Sequence, residues 1–366
     1  MSAMLEPKGG LDPRHQAGVE LLRRAGQDLL LKLPFRTTCL TLLAGAGSRW
    51  RKTLGDAKAT IPPHAKDAHS LRTLAFPLDA PRGLFPVKNR LALNREYIPL
   101  AAYAVDAFRY LGRQGIVIRG WEREIRRDVV EALGIESQSV GFATQEEGPH
   151  GKVLGHGDAT FQAMDLWKDS DFVMVNFGGD ANSPFTALVS LVSLALWDRE
   201  GAGVDMVLPV ARIPGSAYPI FLDSQGLPRV FGHNKLGESF GKPGGAALER
   251  SDFANVGIRV YKTSALLNAM EEIRRCWWDP SVGYSVPGND PESHEFALDN
   301  VDSLLAQEGR ARILPWARPE ELTPAKSFDE LLRFEDALDK VRDDWEAFLS
   351  VLDAQKLAHK GTGGGI

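Results

Sequence analysis

The chain has 366 residues, 43% hydrophobic and 25% charged, with a net charge of −5. This is a globular composition, long enough for one large α/β domain with appendages or for two domains, and it argues against a general nucleic-acid-binding role, which needs a basic face. Two cysteines, Cys39 and Cys276, build neither a disulfide framework nor a thiolate metal site. No apolar run reaches the ~20 residues of a membrane span, and residues 1–8 lack the apolar core of a signal peptide. A reducing, cytoplasmic location is the expectation.

Residues 1–11 read as a flexible lead. Asp12-Pro13 is a helix start, an N-cap acid followed by proline. Val19, Leu22, Leu29, Leu30 and Leu33 recur at helical spacing, so a helix is predicted to about Lys32, ended by Pro34. The β-prone run 38–43 then leads into Leu43-Ala44-Gly45-Ala46-Gly47-Ser48-Arg49-Trp50. Glycines let main-chain N–H groups approach a polyphosphate closely, and Arg49 adds a planar cation suited to bidentate phosphate contacts. An ordinary strand-to-loop turn fits this stretch equally well. Residues 52–80 read as a long irregular loop. It ends in Pro81-Arg82-Gly83-Leu84-Phe85-Pro86-Val87-Lys88, where Lys88 follows a proline-constrained approach; on residue type alone it reads as a solvated surface lysine.

Beyond it, helix 96–112, strand 115–118, helix 121–133 and strand 138–143 alternate as βαβ units do, which predicts a mostly parallel sheet. Gln145 follows. Gly151 to Ala159 holds Gly155-His156-Gly157-Asp158 and opens helix 160–167, where a helix N-terminus favours an electron-rich ligand group. Strand 172–177 runs into Gly178-Gly179-Asp180, ahead of the apolar helix 184–198. Ligands of open α/β sheets bind at such strand ends, and a carboxylate beside phosphates suits Mg²⁺; a helix-capping acid is the plain alternative. Strand 204–210 follows. Residues 214–251, rich in Gly, Pro and Lys, predict an inserted β-subdomain or lid. Strand 253–261, helix 263–275, helix 292–308 with Glu295 and Asp299 one turn apart on one face, and strand 311–315 complete the core. Ser327-Phe328-Asp329-Glu330 is a capping box opening helices to about His359, before a disordered tail.

Taken together, these segments resemble the sugar-phosphate nucleotidyltransferases (NDP-sugar pyrophosphorylases) over roughly residues 38–340. Leu42 to Trp50 is similar to their Gly-rich signature, and Pro86-x-Lys88 to the Pro-x-Lys that completes it. Gly155-His156-Gly157-Asp158 resembles the GHGD stretch of UDP-glucose and UDP-sugar pyrophosphorylases. Gln145 matches the glutamine that reads uracil, and Asn176 to Asp180 the strand end carrying the metal-binding aspartate. Asn255-Val256-Gly257-Ile258 resembles the sugar-contacting strand, and Glu295 to Asp299 a helix start of the bacterial branch. The chain departs from the family in three respects. Some two dozen extra residues separate the Gly loop from Pro86-x-Lys88, so Lys52 and Lys58 compete for the lysine role. Ser48 replaces threonine. A second metal ligand, due near Lys326-Ser327, has no match.

The resemblance implies a three-layer, Rossmann-like (GT-A-like) nucleotidyltransferase fold with a mostly parallel mixed sheet, a small β insert and added terminal helices. Residues 1–36 are then an N-terminal helical extension and 37–340 the nucleotidyltransferase domain, with an insertion at 52–80 and a substrate-side insert at 214–251; residues 341–366 form a C-terminal helix and tail. The implied reaction is NTP, UTP foremost, plus a sugar 1-phosphate giving NDP-sugar and pyrophosphate. Arg49, Lys88 and Asp180 are its catalytic residues, with Mg²⁺ on Asp180. Leu43 to Ser48, Gln145 and Gly155 to Asp158 bind nucleotide. Gly179, Glu238, Asn255 and Gly257 bind sugar. On the residues alone, His156, Asn255 and Glu295 serve structure as readily as binding. Nucleic-acid and membrane partners are not expected, and the oligomeric state is open. A cytidylyltransferase and a non-catalytic nucleotide-sugar-binding relative are the alternatives.

Overall fold

A computed structural model describes residues 13–341 apart from 46–47, 92–94, 217–218, 232–247, 288, 290–291, 323–326 and 332. Two helices open it, α1 (Pro13–Ala25) and α2 (Gln27–Arg36). Gly26 between them has φ 75°. A left-handed residue cannot continue a helix, so the single helix expected over 12–32 is two. Pro34 lies inside α2 rather than ending it. Leu22, Ala25, Leu29 and Leu33 bury these helices against the core, beside Phe185 and Leu191.

The central strand β1 (Thr37–Leu42) is buried along its whole length. Leu40 and Leu42 join a core with Trp167, Leu266 and Phe296. Cys39 joins a different one, with Leu29, Phe185 and Leu191. Side chains alternate across a strand, so a strand feeding two cores must be covered by helices on both faces.

The stretch expected to be irregular, 52–80, is largely helical: α3 (Ser48–Thr60) and α4 (Ala68–Ala75). Trp50 and Leu54 are buried with Phe76, Phe85 and Phe328, with Ala57 packed against them. That i, i+4, i+7 spacing is what makes the segment a helix. The Asp67 carboxylate caps α4, accepting from Ser70 N at 2.8 Å. The Trp50 and Phe85 rings meet edge-on at 5.4 Å, and Phe328 closes on both at 5.7 and 5.6 Å.

A short hairpin, β2 (Pro86–Lys88) with β3 (Tyr97–Pro99), takes the start of the helix expected from 96, and α5 begins only at Ala101 (Ala101–Phe108). Then come β4 (Arg113–Ile118), α6 (Glu122–Ile125) with a π turn over Arg126–Val130, and β5 (Val140–Thr144). Next are α7 (Gly155–Gln162), α8 (Met164–Trp167), β6 (Phe172–Phe177) and the deeply buried α9 (Pro184–Arg199). After β7 (Met206–Arg212), β8 (Pro219–Leu222) and β9 (Pro228–Phe231) extend the main sheet through β10 (Glu249–Asn255). The strand expected over 253–261 is broken: Gly257 at φ 89° separates β10 from β11 (Arg259–Lys262). The chain continues through α10 (Thr263–Trp277), the small pair β12 (Trp278–Asp279) and β13 (Gly283–Tyr284), α11 (Leu298–Gln307) and β14 (Ala311–Leu314). The capping box is present, Ser327 N donating to Glu330 Oε2 at 3.0 Å, and helix follows over 333–341. The C-terminal helix and tail expected beyond lie outside the described residues.

The sheet order is β5-β4-β1-β6-β11-β7-β10-β8-β9, with β14 on β7. The four strands β5, β4, β1 and β6 are parallel, and β14 is parallel to β7. Strand β11 runs antiparallel to both β6 and β7, so the sheet is mixed. The fold is α/β, with helices on both faces.

Candidate active site

The carboxyl ends of the parallel strands are stitched to one another. Leu43 N donates to Val117 O at 2.8 Å, Gln145 N to Ile118 O at 2.8 Å, and Gly178 N to Leu42 O at 3.1 Å. The loops leaving β1, β4, β5 and β6 therefore form one continuous rim where ligands of such sheets bind. Leu43 packs so closely on Gly178 and Gly83 that a Cβ at either would overlap its side chain. Ala44 is buried and Gly45 exposed. Ala46, Gly47 and the Ser48 side chain lie outside the described residues.

Beside Gly45 the rim opens into a cleft of about 260 Å³, lined by Arg51, Asp79, Arg82, Arg119, Trp50 and Trp121 among others. Three arginines and one aspartate are among its lining residues; Glu147 pairs with Arg119, and Asp180 and Glu330 act on Arg82. Arg49 sits exposed on the first turn of α3 and is not among the residues walling this cleft. Arg51, two residues on and therefore on the opposite side of the helix, lies there instead.

Arg82 was not singled out in the sequence. Its guanidinium lies on the main chain of Gly179, where any Cβ would collide with it. Burial pulls its pKa below the ordinary value, and the charges of Asp180 and Glu330 act the other way. Asp180 and Arg82 are thus electrostatic neighbours at the end of β6. On its other side Asp180 presses on Gly257, whose Cβ position its Oδ2 would occupy. Glycine at φ 89° is what allows the β10–β11 turn to approach this carboxylate. Asn255 supports that turn: its Oδ1 accepts from Gly257 N at 2.8 Å. Arg259 also holds it, reaching Gly257 O at 3.5 Å while bonding Asp302 at 2.8 Å and Asp299 at 2.7 Å. Helix α11 begins at Leu298, so Asp299 is in its first turn and Glu295 precedes it, exposed; the two do not share a helical face.

Lys88 is exposed on β2, its N–H donating to Glu335 Oε1 at 3.2 Å and its carbonyl accepting from Tyr103 OH at 2.5 Å. Lys52 is exposed on α3. Lys58 is engaged with the main chain of Leu74 and Phe76. The signal for Arg82 was present in Pro81-Arg82, a cation after a proline at the other end of the same constrained segment.

A second group lines the rim at β5. Gln145 is buried and donates through Nε2 to Gly155 O at 3.0 Å and Asp158 Oδ2 at 3.5 Å. Asp158 also accepts from Gln162 at 2.6 Å and Tyr284 OH at 3.1 Å. Burial raises its pKa above 3.8, and these donors oppose the rise. With its NH₂ facing two acceptors, Gln145 has its carbonyl left for a ligand's N–H. Gly157 N donates to Phe296 O at 2.8 Å. His156 accepts from Leu298 N through Nδ1 at 3.0 Å and meets Phe177 edge-on at 5.0 Å, which ties α7 to β6 and α11. Glu238 lies outside the described residues.

Among the described residues no group of three or more His, Cys, Asp or Glu could hold a metal, and no helix is long and apolar enough to cross a membrane. No family model and no curated protein matches the chain. Solved structures do. The Trypanosoma brucei uridine diphosphate N-acetylglucosamine pyrophosphorylase, in complex with an inhibitor, aligns with TM-score 0.55 at 13% identity, over 89% of this chain and 70% of that one. A UDP-glucose pyrophosphorylase complexed with UDP-glucose aligns with TM-score 0.47 at 13% identity, over 83% of this chain and 98% of the other. An apo UDP-glucose pyrophosphorylase gives 0.48 at 13% identity, over 84% and 100%. The chain has the fold of the Trypanosoma enzyme, the nucleotidyltransferase fold of a sugar-nucleotide pyrophosphorylase.

Proposed function

We propose that this protein joins an NTP, UTP foremost, to a sugar 1-phosphate and releases pyrophosphate. One observation carries the reading: an arginine-walled cleft at the Gly loop meets Asp180 and Gly179 through a shared residue, Arg82. A phosphate oxygen of the sugar phosphate attacks the α-phosphorus, the O–Pα bond forms, and the bond to the β-phosphate oxygen breaks. Both reactants are anions, so the protein's task is alignment and neutralisation. Arg51 and Arg119 hold the terminal phosphates. Arg82 takes the bridging position expected of Lys88, between the α-phosphate and the acceptor phosphate. Gln145 receives an N–H of the base, N3–H in the case of uracil. The turn at Asn255 and Gly257 faces the sugar.

One carboxylate with phosphate oxygens is a donor set Mg²⁺ accepts, so Asp180 fits a metal arriving with substrate. When bound, Mg²⁺ would spread the charge of the phosphates. The test is pyrophosphate release from a panel of NTPs and sugar 1-phosphates. Release confined to UTP with a sugar 1-phosphate supports the reading; release with CTP points to a cytidylyltransferase. UTP binding without release from any pair would leave a nucleotide-sugar-binding module.

A further inference from the structure

The cleft's third arginine has a second partner. Arg119 immediately follows β4 and Gln145 immediately follows β5, and these strands pair in register up to Ile118 and Thr144. Two residues past Gln145, Glu147 forms an ion pair with Arg119 Nη2. The Arg119 side chain is 34% exposed and that of Glu147 47%. Arg119 therefore stands between two calls on one guanidinium: the cleft it helps to wall, and a carboxylate on the loop that carries the base-facing glutamine. Asp79 is the other carboxylate on the cleft wall. Behind Arg119, Gly120 and Trp121 are both left-handed, at φ 78° and 60°. Non-glycine residues adopt that conformation only when their surroundings enforce it. The sharp turn brings Trp121, like Arg119, to the cleft wall.

We propose that Arg119 is a ligand for the terminal phosphates of the nucleotide, with Glu147 as its resting partner in competition with them. The inference rests on reading the cleft as the triphosphate end of the site. A carboxylate carries one charge and a pyrophosphate several, so an exposed ion pair yields when the polyanion arrives. Glu147 is then released, and the loop after Gln145 senses whether terminal phosphates are present.

Calorimetric titration of the full chain with inorganic pyrophosphate tests this without turnover. Arg119→Gln should weaken binding about ten-fold or more, the scale of a lost charge-assisted hydrogen bond. Glu147→Gln should tighten it about two- to five-fold, because an exposed pair no longer competes. In the double variant the gain should vanish and affinity match Arg119→Gln alone. UMP, which lacks terminal phosphates, should bind all forms alike. Unchanged pyrophosphate affinity in Arg119→Gln overturns the proposal. So does a Glu147→Gln gain that survives without Arg119, since Glu147 would then act through its charge alone. Wild-type protein that binds UMP but not pyrophosphate overturns the proposal and leaves the nucleotide site standing; binding of neither overturns both.

Discussion

The guanidinium of Arg82 rests on the main chain of Gly179, so closely that glycine is the only residue the position accepts without displacing it. The atom in the way is the far end of a flexible side chain. Gly179→Ala should therefore cost little stability and act by pushing Arg82 aside. Turnover should fall in Gly179→Ala and, by about 10²–10³-fold, in Arg82→Ala, the scale of a lost transition-state charge contact. Arg82→Lys should recover part of it, and Lys88→Ala should stay within a few-fold of wild type. Steady-state kinetics with UTP and a sugar 1-phosphate decide this; a Lys88→Ala loss matching that of Arg82→Ala would return the role to Lys88.

Asp180→Asn keeps shape and removes charge. Turnover should drop by about two orders of magnitude or more and its dependence on Mg²⁺ concentration should flatten. Pyrophosphate-release assays across a Mg²⁺ series give the answer, and a wild-type Mg²⁺ response in this variant would remove Asp180 from the site.

Arg49 and Arg51 are separable. Arg51 walls the cleft and Arg49 does not. Arg51→Ala should weaken UTP binding about ten-fold or more, and Arg49→Ala distinctly less. Equilibrium titration of the two variants is sufficient, and the reverse order would mean that the loop rearranges on binding.

Burial raises the Asp158 pKa above 3.8. The folded state then holds its proton more tightly than the unfolded chain, so this residue's contribution to stability declines as pH rises from about 3.8 through the raised value, and is flat beyond. Asp158→Asn should lack that decline. Urea unfolding midpoints of both proteins, taken as a series upward from pH 4, would show the curves parting across the acid range; parallel curves would exclude the effect.

Gly257→Ala places a Cβ against Asp180 at φ 89°. The left-handed backbone costs about 1–2 kcal/mol for a non-glycine residue. Denaturation should show that loss, and kinetics a further drop from the displaced carboxylate, larger than the stability change explains.

The strands β1, β4 and β6 and the helix α9 were legible because each carries a short apolar or β-branched stretch, or a mostly apolar helical one, between turn residues. Helix α3 was not: Gly55 and five charged side chains mask the three-residue stripe of Trp50, Leu54 and Ala57, and the deciding partners, Phe85 and Phe328, come from far along the chain. The breaks at Gly26 and Gly257 depend on backbone angles that a glycine permits but does not announce. For the site, the glycines and Asp180 could be picked from strand ends. Arg82 and Lys88 flank the same constrained segment, and only the hairpin formed by β2 and β3 shows which of the two cations meets β6.

Phe328 does more than fill space behind the Gly loop. Its main-chain N–H donates to Thr53 Oγ1 at 2.8 Å across 275 residues of chain, and its ring completes the set that grips Trp50, the residue after Arg49. Phe85, from the segment just before β2, supplies one ring of the grip on Trp50, and Phe328 supplies the other from far along the chain. The helix that leaves the Gly loop is therefore seated by two distant stretches of sequence, so a change at Phe328 would be felt at the loop despite that separation.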